Sequence, residues 1–269
     1  FCASAQKWYT PEIDQKVEDL LKQMTVEEKL GYIGGVNWMY TKNIDRLGIH
    51  RMKMSDGPQG LGTDGKSTAY PSTVTLAATW NENLAYQYGK ALGRDCRARN
   101  VNVILGPAVN IYRAPMCGRN FEYMGEDPYL TSRICVGYIK GVQDQGVMAT
   151  VKHFVANNSD YDRNNISNDI DERTLNEIYF PAYKAAIQEA EVGAVMTSYN
   201  LMNGIYTTEN PWLLKEVLRN QWGFKGLVMS DWGSTHYCVP AAKGGLDLEM
   251  AGGEKMNPKD MAYYLKTGD

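Results

Sequence analysis

Six short apolar runs, five of them ending on polar groups, constrain this chain more than any other feature: MKMSD, VNVILGPAVN, ATVKHF, AVMTSYN, GLVMSD and GLDLEM. Runs this short suit strands covered on both faces, as in a parallel sheet flanked by helices. Between them, residues 82–99, 128–145, 171–191 and 210–222 carry apolar side chains at helical spacing. A further helix is signalled from Pro11, with Val17, Leu20, Leu21 and Met24 along one stripe. Asn210 and Pro211 supply a cap and a first-turn proline to the last helical stretch. Repeated strand–helix units imply a parallel sheet, either a closed barrel or a doubly wound sheet. No GxGxxG or GxxxxGK[ST] follows any strand, which lowers the dinucleotide and P-loop readings.

The polar ends of the runs are Asp56, Asn110, Lys152–His153, Tyr199–Asn200 and Asp231–Trp232. Taken alone, Asp231 reads as a solvated strand end, or Ser230 or Asp231 as a helix cap. Taken together, polar ends from one sheet point to a shared site. In a (β/α)8 barrel the C-terminal strand ends form a single rim, where active sites sit. The expected fold class is α/β, a (β/α)8 TIM-barrel-like domain. With six strands counted and eight needed, it is expected to be incomplete at its C-terminal end and to continue past Asp269.

Composition narrows the ligand. A net charge of −3 without a long charge run argues against nucleic acid or an anionic membrane surface. No apolar run reaches the ~18 residues of a membrane span. The histidines are His50, His153 and His236, and the cysteines Cys2, Cys96, Cys117, Cys135 and Cys238 are scattered without a CxxC pair. No metal site, cofactor or disulfide framework is therefore expected. Carboxylates, cations, a phenol and an indole on one rim suit a hydroxyl-rich ligand, since charged groups bond sugar hydroxyls and rings pack on apolar sugar faces. A neutral carbohydrate fits best.

The segments KMSDGPQGLG, CGRNFEYMGEDPYL, TVKHFVANNSDYDRN, VMTSYN and GLVMSDWGST, in that order, resemble glycoside hydrolase family 3, chiefly its β-glucosidase branch. The similarity runs from about Leu20 to Met250. It implies that residues 1–269 are the family's N-terminal (β/α)8-like catalytic domain, acting as a retaining exo-β-glycosidase on an oligosaccharide or aryl β-glucoside. It implies Asp231 as nucleophile and Trp232 as a wall of the sugar site. It places Asp56, Arg119, Lys152, His153, Arg163 and Tyr199 around the terminal sugar, with Met196 as a packing contact. The loop VANNSDYDRNNIS lacks the histidine of the family's N-acetylhexosaminidase branch. β-Xylosidase and exo-β-glucanase remain alternatives, as does a carbohydrate-binding barrel without turnover.

A retaining glycosidase needs an ionised carboxylate and a protonated acid roughly 5–5.5 Å apart. Arg119 and Lys152 are expected to keep Asp231 ionised. No carboxylate in the chain is a convincing acid. Glu122, Glu126 and Asp127 lie with Arg119, where pairing with cations lowers a pKa, and Glu122 reads also as a structural partner of Arg119. Asp247 and Glu249 share one face of the last run, which makes Glu249 the first suspect should the acid lie here. The resemblance implies instead a glutamate on a second, α/β sandwich domain or chain. Consecutive strand residues point to opposite faces, so placing Lys152 and His153 in one pocket requires an irregular strand end, such as a non-proline cis peptide. Ala3-Ser4-Ala5 has the form of an export-signal stub, or the start is arbitrary, and Cys2 reads also as a lipid-modified terminus. The expected location is secreted or periplasmic, otherwise cytoplasmic.

Overall fold

The computed structural model describes residues 9–63 and 65–268. The readings of Ala3-Ser4-Ala5 and Cys2 lie outside the described residues. Among the described residues there are eight strands, β1 Met54–Asp56, β2 Val103–Leu105, β3 Met148–Phe154, β4 Ser167–Asn168, β5 Ala194–Thr197, β6 Leu201–Met202, β7 Ile205–Tyr206 and β8 Leu227–Met229. The helices are α1 Pro11–Gln23, α2 Val26–Tyr32, α3 Thr73–Ala77, α4 Glu82–Ala98, α5 Pro128–Gln143, α6 Glu172–Thr174, α7 Pro181–Gln188, α8 Cys238–Gly244 and α9 Pro258–Thr267. Wider helical turns at 175–179 and 212–221 complete the two remaining expected helical stretches. Asn210 Oδ1 accepts the Trp212 and Leu213 amides, as its position before Pro211 suggested.

β1, β2, β3, β5 and β8 form one parallel sheet in that order, and β4, β6 and β7 a small separate one. The last run, GLDLEM, contributes single bridges rather than a strand. Leu248 pairs with Met229, and Glu249 with Gly34. From Gly34 the ring passes through Val36 and Tyr40 back to Lys53, at the start of β1. Residues 34–40, which no apolar run announced, thus join the ring between residues 248–249 and β1.

Period-2 alternation sorts the side chains into two cores. Ile104, Val151, Val195 and Val228 face the helical layer, packing with Leu92, Ile139, Tyr183 and their neighbours. Met54, Val103, Leu105, Ala194, Met196, Met229 and Leu248 face the ring interior. Continuing the inner parity by one more step gives Asp56 after Met54 and Asp231 after Met229. That spacing is why an apolar strand ends in a carboxylate. The helices α4 and α5 approach so closely that a Cβ on Gly89 would lie 2.1 Å from the Tyr138 carbonyl oxygen, and one on Gly141 2.1 Å from that of Tyr86. The apolar stripe of α1 stays partly uncovered, with Val17 48% exposed. No described helix is long and apolar enough to cross a membrane.

Candidate active site

A pocket of ≈ 400 Å³ opens at the C-terminal ends of the parallel strands, lined by Asp56, Arg119, Lys152, Arg163, Met196, Tyr199, Asp231 and Trp232 together with Trp38, Met39, Thr63 and Leu105. Of the residues that the sequence nominated, His153 and the strand-end residues Asn110 and Asn200 are not on that wall. The imidazole lies behind Arg119 instead, fully buried, with Nε2 at 2.8 Å from Arg119 Nη2. The Lys152–His153 peptide is cis, and both side chains reach the same cluster, as the irregular strand end required.

The tautomer of His153 follows from its partners. A guanidinium only donates, so Nε2 accepts from Arg119 and Nδ1 carries the proton, which it donates to Asn110 Oδ1 at 3.3 Å. Burial, reinforced by Arg119, Lys152 and Arg163, holds the imidazole well below its ordinary pKa. His153 is therefore neutral at pH 7, and the 3.6 Å approach of its Nε2 to Asp231 Oδ2 is no ion pair.

Lys152 is 2% exposed and its ammonium donates to Asp56 Oδ1 at 3.0 Å, with Glu122 Oε2 at 3.8 Å. This is not a surface lysine. Glu122, itself buried, also accepts from Arg119 Nε, so it ties the two cations together from behind the pocket. Asp56 Oδ1 takes the Gly57 amide as well, while the Asp56 amide donates to Thr63 Oγ1 at 3.1 Å. Arg163 stacks 4.0 Å from the centroid of the Tyr199 ring, and the Tyr199 hydroxyl donates to the Trp232 carbonyl at 3.1 Å. The Trp232 indole donates to the Trp38 carbonyl at 2.9 Å. Trp38, with φ at +69°, was missed because nothing in a turn sequence marks a pocket wall.

Asp231 is 6% exposed. Its Oδ1 accepts the Trp232 amide at 2.7 Å, whereas Oδ2 has no hydrogen bond and stands 3.9 Å from Arg119 Nη1. Burial pushes its carboxyl above the ordinary aspartate value, outweighing Arg119, Lys152, the Trp232 amide and Tyr199. Arg119 and Lys152 act in the direction expected of them, favouring the ionised form, and burial opposes them.

The other acidic candidates are engaged elsewhere. Asp247 accepts from Arg219 at 2.6 Å and from the Val228 amide at 2.7 Å. Glu249 accepts the Lys255 and Met256 amides, the latter at 2.6 Å, and so holds the 251–256 turn. The two carboxylates thus serve different partners, Asp247 the start of β8 and Glu249 the turn after the last run. Asp127 caps α5 through the Leu130 amide, and Glu126 is exposed.

Ring and rim together define an α/β-barrel domain with a polar pocket at its strand ends. Residues 25–265 match the sequence model of the glycosyl hydrolase family 3 N-terminal domain, and the chain belongs to that family. It is 47% identical over 251 residues to a β-glucosidase of Rhizobium radiobacter, covering 89% of this chain and 31% of that protein. It is 40% identical over 243 residues to an exo-α-(1→6)-L-arabinopyranosidase of Bifidobacterium breve, covering 86% and 32%. Among solved structures, β-glucosidase 3B of Thermotoga neapolitana in complex with glucose superposes with a TM-score of 0.90 at 39% identity, covering 94% of this chain and 40% of that one. The chain spans about a third of the length of the curated relatives it matches.

Proposed function

We propose that this chain forms the sugar-binding and nucleophile-bearing part of a retaining exo-β-glycosidase, with β-D-glucosides as the preferred substrates. One observation carries the reading. A buried carboxylate with an unfilled acceptor, Asp231, lines a pocket between the cations of Arg119 and Lys152 and the indole of Trp232. Relatives named β-glucosidase agree with it. Asp231 attacks the anomeric carbon, the glycosidic bond breaks, and water later releases the sugar with its β configuration retained. Asp56, whose outer oxygen is not bonded to protein, accepts sugar hydroxyls, and Trp232 and Trp38 flank the ring and the departing group.

The leaving oxygen needs a proton, and no described lining residue is suited to supply it. Asp56 is held by an ammonium and an amide, and the remaining liners with acidic protons are phenolic or cationic. As the family resemblance implies, we assign the acid/base to a glutamate on a second, α/β sandwich domain or chain that closes the pocket mouth. Secretion or a periplasmic location is proposed on the Ala3-Ser4-Ala5 stretch alone. The relative acting on an arabinopyranoside makes pentopyranosides the alternative substrates.

Incubating the protein, together with its second domain, with a 2-deoxy-2-fluoro-β-glucoside tests the assignment. Fluorine at C2 slows both steps while an activated leaving group such as dinitrophenolate keeps the first one fast, so a glycosyl ester accumulates, and peptide mapping should find it on Asp231. A label on Glu122 or Glu249 would sink the proposal. A binding barrel without turnover would take no label at all.

A further inference from the structure

We infer that Glu209 is a positioning residue for Asp231, acting through the loop that follows β8. The inference rests on the proposed role of Asp231. Thr207, Thr208 and Glu209 are consecutive buried polar residues, and each side chain grips one of two strand ends. Thr207 Oγ1 donates to the Ser198 carbonyl at 2.8 Å and lies 3.1 Å from the Ser198 amide, one residue before the pocket-lining Tyr199. Thr208 Oγ1 donates to the Ser234 carbonyl at 3.1 Å. Glu209 Oε1 accepts the His236 and Tyr237 amides at 2.8 and 2.7 Å.

The grip reaches Asp231 through a short chain of bonds. Ser234 donates to the Asp231 carbonyl twice, from its amide at 3.1 Å and from its hydroxyl at 3.0 Å. Fixing residues 234–237 therefore fixes the backbone that aims the Asp231 carboxylate. The approach of α8 leaves no slack, since a Cβ on Gly244 would lie 2.9 Å from the Glu209 carbonyl. Glu209 is 7% exposed, and among the described residues its surroundings supply burial and two amides but no cation. A buried carboxylate without a counter-ion stabilises a fold poorly. What it does achieve is to hold two amides of the catalytic loop at fixed positions.

The test is the rate of labelling of the full protein by 2,4-dinitrophenyl 2-deoxy-2-fluoro-β-glucoside. One Asp231 oxygen bonds to C1 as the C1–O bond breaks, and dinitrophenolate leaves with the bonding pair. No proton donor is needed, so the step reports on the nucleophile alone. Glu209→Ala should lower the saturating labelling rate about 10- to 100-fold, the scale of small misplacements of reacting atoms. Its half-saturating reagent concentration should stay within about 3-fold, since the sugar contacts are untouched. Glu209→Gln, whose carbonyl accepts the same amides, should remain within about 3-fold of wild type. Thr208→Val, which loses one bond to the loop, should label about 3- to 10-fold more slowly. A wild-type saturating rate in Glu209→Ala, or a loss matched by its unfolded fraction, overturns the inference. Should Glu209→Ala not fold, a wild-type rate in Thr208→Val overturns it. Absence of label on Asp231 in the wild-type protein makes the glycosidase reading itself fail, and the inference with it.

Discussion

Asp231 and Glu249 occupy adjacent segments of the ring, joined where the Ser230 amide donates to the Leu248 carbonyl. Both are buried, at 6% and 3% exposure, and burial raises the pKa of both. By those measures they are equals. Their acceptors separate them. Both oxygens of Glu249 are taken by the Lys255 and Met256 amides, whereas Asp231 Oδ2 is unfilled and its side chain lines the pocket. A desolvated carboxylate with its lone pairs committed is a structural clamp. One with a spare acceptor beside a cavity is equipped to react.

The sharpest way to break this comparison is to neutralise each in turn. Asp231→Asn should abolish turnover of aryl β-glucosides by about 10⁴-fold or more, the scale seen when a central catalytic group is removed. Glu249→Gln keeps size and one acceptor but turns an NH2 toward a backbone amide. It should cost about 1–3 kcal/mol of stability and leave kcat within about 3-fold of wild type. A deep loss of kcat in folded Glu249→Gln would reverse the assignment.

Cations on the pocket wall come next. Lys152→Met removes the ammonium that Asp56 and Glu122 share. Losing one partner of a buried pair typically costs ~3–5 kcal/mol. The Asp56 side chain is 49% exposed, so solvent screening brings the expected loss nearer ~1–3 kcal/mol. KM for the aryl glucoside should rise about 10-fold, equivalent to ~1.4 kcal/mol, because Asp56 is no longer held toward the sugar. An unchanged KM would place Asp56 outside the substrate contacts.

Protonation distinguishes the two carboxylates again. Each has a folded-state pKa above its unfolded value, so the folded protein binds the proton more tightly. The stability each contributes is fully present below the unfolded value and is lost as pH rises to the folded value. Comparing melting temperatures across acidic pH should show this dependence weakened in Asp231→Asn and in Glu249→Gln alike. Only Asp231 should also appear in activity, as an acid limb of kcat/KM lying above the ordinary aspartate range. An acid limb that moves in Glu249→Gln would contradict the distinction.

The rim was legible in the sequence because period-2 spacing transmits apolar identity into direction. Met54 fixes Asp56, and Met229 fixes Asp231, on the inner face. The helices were legible for the same reason at period 3.6, down to the cap at Asn210. Ring closure through Gly34 and Tyr40 was not, since isolated bridges need no apolar run to form. That His153 lies behind Arg119 rather than on the pocket wall was not legible either, because the sequence tells which face a residue takes, not what stands in front of it. Trp38, Thr63 and Glu209 come from turns, where side chains acquire neighbours through tertiary contacts without periodicity.

The smallest expected effect tests the acidic segment NFEYMGEDP, which holds three carboxylates of different fates. Glu122 is buried between Arg119 and Lys152, Glu126 is exposed, and Asp127 caps α5 through the Leu130 amide at 2.7 Å. Asp127→Ala leaves a helix-end amide without its acceptor, at a cost of about 1 kcal/mol. For a protein of this size or larger that is a fall in Tm of about 2–4 °C. Neither Asp127 nor Glu126 touches the pocket wall, so kcat and KM should not move in Asp127→Ala or Glu126→Gln. A fall in kcat with cellobiose and not with dinitrophenyl glucoside, whose leaving group needs no proton, would identify one of them as the acid. That outcome would remove the need for a glutamate from a second domain.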